Sequence, residues 1–240
     1  MKKIILLPIL IFLLISGGAC VRLKKPDSAQ KHEQWVESLN DSVALYKKQA
    51  DSVADALSSI KEKVARLIPD FTHVSNPREV EGYYVYKGWA SHFPLTSTSL
   101  VARISENEGL ELIAALSGGV FNQISLSSGS QSVSSAIVPH DQALNYRAGN
   151  INTVCFSGAE ADSVAAFIAA NKDSAITVNF VGGARGASMS LSPEAKEMIA
   201  ASWQLYSTQK ESHRLEKMLP LLSRKVDLCR RMLHESDSAR

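Results

Sequence analysis

The sequence predicts an α+β protein, in which an antiparallel β-sandwich or partly open barrel with one helix is inserted between two long heptad helices that form a coiled-coil hairpin. Two observations carry this prediction. Apolar residues alternate at spacings of three and four over residues 28–68 and again over 192–236, as in coiled-coil seams. Residues 69–191 instead hold many short apolar runs separated by Gly, Asn and Ser turns, a pattern typical of antiparallel sheets.

The chain begins with a predicted secretory signal over residues 1–19. Lys2 and Lys3 precede an apolar run over residues 4–15, and small residues at 17–19 follow it. That run is too short to cross a hydrocarbon core about 30 Å thick as a stable helix. We therefore expect cleavage of the segment rather than its retention as a membrane span.

Ala19 followed by Cys20 resembles the lipobox of bacterial lipoproteins that signal peptidase II processes, with Gly17 in place of the usual leucine. The resemblance covers residues 1–20 and implies that Cys20 carries acyl chains such as palmitate, followed by an acylated linker over 20–27. The alternative is an ordinary cleaved signal that happens to precede a cysteine. Val21 rather than Asp follows Cys20, so the resemblance implies a periplasm-facing outer-membrane location. Acyl chains apart, we expect no cofactor and no metal.

The net charge gives no indication of a nucleic-acid partner. The formal charge of +2 falls to zero once Lys2 and Lys3 are cleaved off.

Basic residues near both ends of the mature chain could meet as a collar facing anionic lipid headgroups. Solvated helix faces are the alternative. The collar residues are Arg22, Lys24, Lys25, Arg224, Lys225, Arg230 and Arg231.

The first helix is predicted over residues 28–68. Asp27 or Ser28 can cap its start, and Pro69 ends it. The alternation lasts for about four heptads, long enough to define a coiled-coil seam. The seam residues are Val36, Leu39, Val43, Tyr46, Ala50, Val53, Leu57, Ile60, Val64 and Leu67.

The second helix is predicted over residues 192–236, with a short tail over 237–240. Ser192 supplies an N-cap, and Pro193 suits the first helical position. Pro220 is expected to kink this helix, because proline lacks a backbone donor and its ring clashes with the preceding turn. The seam residues are Met198, Ala201, Leu205, Thr208, Ser212, Leu215, Leu219, Leu222, Val226, Cys229 and Leu233.

Two seams of similar length, one at each end of the chain, can bury each other in an antiparallel hairpin. In that arrangement Cys229 lies near the membrane and Cys155 in the distal domain, so we expect both to remain thiols. The alternative is a parallel oligomer formed by residues 28–68 alone. The e and g positions of that segment contain no acidic partner for their lysines, which specifies such an oligomer poorly. These positions are Asn40, Ser42, Lys47, Gln49, Ala54, Ala56, Lys61 and Lys63.

The residues between the two helices predict a succession of strands and one helix. The helix follows Ser157, which has capping-box spacing to Glu160, and it ends near Asn171. Gly and Asn turns bound the strands. The predicted strands cover residues 80–89, 99–104, 110–116, 121–127, 131–138, 143–147, 151–156, 175–181 and 187–191.

The densest aromatic group is Tyr83, Tyr84, Tyr86 and Trp89. Strand alternation sends Tyr84 and Tyr86 to one face and Tyr83 and Trp89 to the other. One reading is that one pair packs in the core while the other lines a half-buried strand. The functional reading is a stacking platform for a sugar ring or a peptide, since aromatic rings on a rigid sheet offer much contact area.

No catalytic motif is evident. The histidines lack metal-ligand spacing, and a hydrolase would have to join His140 and Asp141 to a serine such as Ser130, whereas Asp141 in a turn favours backbone capping. The sequence therefore predicts a non-enzymatic envelope lipoprotein whose helical stalk presents the β-rich domain to an envelope protein or glycan. A glycan- or peptide-binding module using the aromatic group is the first alternative, and a hydrolase is the second. The helices could also support an oligomer.

Overall fold

A computed structural model describes residues 29–75, 81–107, 109–183 and 186–238. The signal, the acylated linker with Cys20, Arg22, Lys24 and Lys25, and the last two residues lie outside the described residues. The helices and strands are α1 (Ala29–Leu67), β1 (Phe71–Val74), β2 (Tyr83–Tyr86), β3 (Ser99–Ser105), β4 (Leu110–Ser117), β5 (Gln123–Ser128), β6 (Gln131–Ser134), β7 (Asn145–Ala148), β8 (Ile151–Phe156), α2 (Gly158–Ala170), β9 (Thr177–Val181), β10 (Ala187–Ser190) and α3 (Pro193–Asp237).

The fold is α+β, with two antiparallel sheets and three α-helices and no closed barrel among the described residues. The first sheet has six strands in the order β1-β2-β3-β4-β8-β7, and the second has four in the order β10-β9-β5-β6. Neighbouring strands within each sheet are all antiparallel, as predicted.

Most predicted strands are present, with shifted ends. β8 matches its predicted range, whereas β2 is only four residues long because the chain turns at Lys87 and Gly88. β1 is a strand that the sequence did not reveal. Its burial pattern shows no alternation, so its four residues lack the period-two pattern from which a strand could be predicted.

Both faces of the central strands of the first sheet are covered. Leu100 and Val101 are consecutive in β3 and therefore point to opposite faces, yet they are 1% and 0% exposed. Leu112 and Ile113 in β4 are likewise 0% and 7% exposed. Such two-sided burial produces continuous apolar runs in the sequence rather than alternating ones.

The second sheet is buried on one face. Ile124, Leu126, Val178 and Phe180 point inward, while the residues between them are only half-buried. The inward residues share one hydrophobic core with the first sheet and with the apolar side of α2, which packs against β4 and β6.

The two long helices follow their predicted seams. Every seam position named above is buried or half-buried, while Leu45 and Leu228, which lie off the seams, are more than half exposed. α3 continues as a helix through Pro220. The chain forms two compact units, one from residues 47–224 and one from residues 29–46 with 225–238.

Candidate functional site

Tyr83 belongs to the core and not to a binding surface. Its side chain is 4% exposed, its ring lies 5.6 Å from that of Phe93, and the Arg103 guanidinium lies 4.4 Å from its ring centroid. Arg103 also forms an ion pair of 2.6 Å with Glu111 on the neighbouring strand. The stacking role predicted for Tyr83 does not fit this burial.

Tyr84 is the most exposed member of the predicted aromatic group, at 38%. Its ring centroid lies 5.0 Å from that of His73, its partner across the β1–β2 pair. His73 Nε2 lies 2.7 Å from Glu106 Oε1, and the Gly82 amide donates to Glu106 Oε2 at 3.1 Å. The hydrogen bond from His73, followed by that from Gly82, lowers the pKa of Glu106.

Gly82 leaves the space that this cluster occupies. A Cβ at position 82 would lie 2.5 Å from His73 Nε2 and 2.6 Å from Glu106 Oε1. The His73–Glu106 pair thus ties β1 to the turn after β3 at a place where only glycine fits without a shift. We interpret the cluster of His73, Gly82 and Glu106 as a structural link between β1 and the turn after β3.

Tyr86 and Trp89 complete the aromatic group without adding to a shared platform. Tyr86 is half-buried and makes an edge contact with Phe71 at 5.7 Å. Trp89 lies beyond the end of β2 and stacks on His92 at 4.6 Å. Both side chains pack in part against the hydrophobic core. The four predicted residues therefore occupy four different environments.

Asp141 performs the turn capping that the sequence predicts for it. Its Oδ1 accepts the backbone N–H groups of Ala143 at 2.6 Å and Leu144 at 3.1 Å. These bonds, the first from Ala143, lower the pKa of the Asp141 carboxyl. The carboxylate is thus engaged with its own turn, which leaves little support for a catalytic role beside His140.

Two buried asparagines hold the loops at one end of the sheets, and sequence reasoning missed them. Asn145 and Asn152 are 3% and 2% exposed. Asn152 accepts the Phe121 N–H at 2.8 Å and donates to Asn145 Oδ1 and to the Tyr146 carbonyl, both at 3.1 Å. Asn145 donates to the Val138 carbonyl at 2.7 Å. Because buried amides left unpaired are costly, this network fixes the loops.

The described part of the predicted basic collar is exposed. Arg224, Lys225, Arg230 and Arg231 all lie on the surface of α3. Lys225 Nζ lies 5.1 Å from the ring centroid of Tyr46. Exposed acidic residues are interspersed in the unit that contains Lys225, Arg230 and Arg231, so its surface is mixed in sign: Glu33, Glu37, Asp41, Asp227 and Glu235.

The described residues contain no group of three or more His, Cys, Asp or Glu side chains that could hold a metal ion. Cys155 and Cys229 are both thiols. Within the same part of the chain, none of the helices combines the length and apolar character needed to cross a bilayer. Comparison with known proteins finds no matching family model, no matching curated protein and no matching solved structure.

Proposed function

We propose that the chain is a non-enzymatic, lipid-anchored envelope protein. Acyl chains on Cys20 hold it to the outer membrane, facing the periplasm. α1 and α3 pair as a coiled-coil hairpin, and this stalk presents the β-rich residues 69–191 for partner binding or scaffolding.

The observation that carries the proposal is the matched burial of the two seams. An isolated heptad helix exposes its apolar stripe to water, and burial of each Leu or Val side chain stabilises by about 1.5–3 kcal/mol. In α1, Leu39 and Val53 are 5% and 7% exposed. In α3, Leu215 and Leu222 are 4% and 6% exposed. Seams this well buried at both ends of one chain favour pairing within the chain.

Contacts between α1 and α3 support an antiparallel direction. In the unit that contains the chain ends, His32 Nε2 lies 3.0 Å from Ser236 Oγ, and Tyr46 meets Lys225. In the unit of residues 47–224, Lys61 Nζ lies 2.8 Å from Glu216 Oε1. The residue numbers rise along α1 as they fall along α3, which is what an antiparallel hairpin requires.

A cysteine crosslink tests the hairpin against a parallel oligomer. Leu39 lies midway between His32 and Tyr46, and Cys229 lies between Lys225 and Ser236. Leu39→Cys should therefore form an intramolecular disulfide with the native Cys229 under mild oxidation. Peptide mass mapping after a non-reducing gel identifies the bond.

The matched control is Asn40→Cys, one residue along on the exposed side of α1. It should give no bond to Cys229. A parallel oligomer would instead link the introduced thiols of two chains at position 39, giving a covalent dimer. Such a dimer, without the intramolecular bond, would contradict the hairpin.

The anchor has its own test in a bacterial host that processes lipoproteins. The wild-type chain should incorporate a clickable palmitate analogue and fractionate with outer membranes, and Cys20→Ser should abolish both. Cys229→Ser is the matched control and should leave both unchanged. Equal labelling of the Cys20→Ser chain would refute acylation at Cys20.

A further inference from the structure

The unit formed by residues 29–46 and 225–238 has two unlike flanks. Heptad positions are lettered a to g, and the seam places Val36 and Val226 at position a. Positions b and e then lie on one flank of each helix, and positions c and g lie on the other. In the proposed antiparallel pair, like flanks of α1 and α3 fall on the same side. Among the described side chains, the b and e positions hold exposed polar residues and one alanine: Gln30, Glu33, Glu37, Asn40, Ala44, Asp227, Arg230 and His234.

The flank made of the c and g positions is apolar at its centre. Leu45 and Leu228 are c positions and are 53% and 51% exposed. Trp35 and Met232 are g positions and are half-buried. This flank of the unit therefore carries large apolar side chains, which the described b and e positions lack. Its other members are Lys31, Ser38, Ser42, Lys225 and Glu235.

Trp35 also leaves a hydrogen-bond donor unused. Its indole Nε1 is shielded from solvent and meets no acceptor within the part of the chain that the structure describes. An unsatisfied buried donor costs about 1–3 kcal/mol, and the N–H of a buried tryptophan usually finds a partner. The unpaired donor indicates that this flank is incomplete in a single chain.

The charges on this flank are complementary between two copies of the chain. Lys31 on α1 and Glu235 on α3 are exposed c positions of opposite sign. Their neighbours His32 and Ser236 are in contact, with Nε2 and Oγ 3.0 Å apart, so Lys31 and Glu235 lie at similar heights along the helix pair. A two-fold axis parallel to the helices would set α1 of one copy against α3 of the other at unchanged height. Lys31 of each copy would then face Glu235 of the other, which is the self-complementarity that a two-fold interface requires.

The same operation brings the exposed leucines together. Tyr46 meets Lys225, with Nζ 5.1 Å from the ring centroid, so Leu45 and Leu228 lie within about one helical turn of the same height. Leu45 of each copy would therefore face Leu228 of the other. A membrane of anionic lipids fits less well, because it would repel Glu235 and leave it without a cation.

We propose that this flank docks against the same flank of a second copy, so that two hairpins form a four-helix bundle. The inference rests on the pairing of α1 with α3 in the proposed function. It differs from a parallel oligomer of residues 28–68 alone, because each helix keeps its neighbour from the same chain. The bundle buries Leu45 and Leu228 of both copies.

Sedimentation equilibrium of the full mature chain, in a density-matched detergent, measures the mass of the protein alone. We expect a reversible dimer. Leu45→Asp/Leu228→Asp should weaken the dimer at least about a hundredfold, because four leucines leave the interface and like charges replace them. The matched control is Ala44→Asp/His234→Asp, which adds two acidic residues to the other flank of the same helices and should leave the dimer unchanged.

A charge exchange provides a second test with little risk to folding, since both positions are exposed. Lys31→Glu and Glu235→Lys should each weaken the dimer about fivefold, because each removes two ion pairs at the rim. The double variant Lys31→Glu/Glu235→Lys restores opposite charges across the interface and should regain the wild-type dissociation constant.

A wild-type chain that stays monomeric up to about 100 μM would overturn the proposal and leave this flank to a lipid surface or to another protein. Equal weakening by the control variant, or no rescue in the double charge variant, would also overturn it. The intramolecular bond between Leu39→Cys and Cys229, measured in parallel, separates the two proposals. If that bond forms and the chain is monomeric, only the bundle fails, whereas loss of the bond contradicts the hairpin itself.

Discussion

The two sheets of this protein use the same antiparallel pairing but differ in how they are covered. In the first sheet, consecutive residues such as Leu112 and Ile113 are buried on opposite faces. In the second, Leu126 is 0% exposed while Ser125 and Ser127 beside it are half-buried. The difference shows which surface can be spared for binding: the central strands of the first sheet are internal, and the second sheet offers one face to solvent.

The sequence of each sheet reflects this difference. β4 reads Leu-Glu-Leu-Ile-Ala-Ala-Leu-Ser, a nearly continuous apolar run, whereas β5 reads Gln-Ile-Ser-Leu-Ser-Ser, a strict alternation at its start. A strand covered on both sides tolerates few polar residues, and a strand covered on one side tolerates them at every second position. The outward serines are thus free to serve a purpose other than stability.

The largest expected effect comes from a cavity in the first sheet. Leu112→Ala should lower the free energy of unfolding by about 3 kcal/mol, because Leu112 is fully buried and its neighbours cannot fill the space. Urea denaturation followed by circular dichroism measures the change. Ser127→Ala in the second sheet is the control and should stay within about 0.5 kcal/mol. Similar losses in the two variants would break the contrast between the sheets.

The next effect concerns the asparagines that hold the loops. Asn152→Ala removes an acceptor from the Phe121 N–H and a donor from Asn145 Oδ1, and it leaves these buried groups unpaired. We expect a loss of about 2 kcal/mol in thermal or urea unfolding. Asn107→Ala, which removes only an exposed bond to Glu81, should cost far less. Equal losses of unfolding free energy in the two variants would mean that the buried asparagine network does not stabilise the loops.

The smallest effect is a pH dependence at the edge of the first sheet. The pKa of Glu106 is lowered in the folded protein, so its stabilising contribution is present above the usual carboxyl range and is lost as the pH falls through the folded pKa. Glu106→Gln should therefore reduce the loss of stability as the pH falls below the usual carboxyl range. Glu81→Gln is the comparison variant. If the stability of the Glu106→Gln protein depended on pH as the wild type does, Glu106 would not contribute to the acid sensitivity.

The heptad spacing of apolar residues was enough to predict the long helices, and short apolar runs bounded by turn residues were enough to predict most strands. The ends of α1 and α3 differ from the predicted ends by one residue, where they are described. The order of strands within each sheet could not be predicted from these patterns, because β4 pairs with β8 and β5 pairs with β9 across long stretches of chain.

The surroundings of the candidate aromatic site could not be predicted from periodicity either. Alternation placed Tyr84 and Tyr86 on one face of β2, but it could not tell that Phe93 and Arg103 would cover Tyr83 on the other. The composition of the outward face of the second sheet was hidden for a similar reason. Its small polar side chains come from β5, β6, β9 and β10, and only the register between these strands brings them together.

The central contrast is that β3 and β4 of the first sheet are buried on both faces, whereas the second sheet is open on one. A pair of lysine substitutions tests it most directly, with the free energy of unfolding measured for both. Val101→Lys places a charge in a fully buried position and should lose more than about 3 kcal/mol or fail to fold. Ser127→Lys should fold and stay within about 1 kcal/mol of wild type, because its side chain reaches water. A Ser127→Lys protein as damaged as Val101→Lys would contradict the open face.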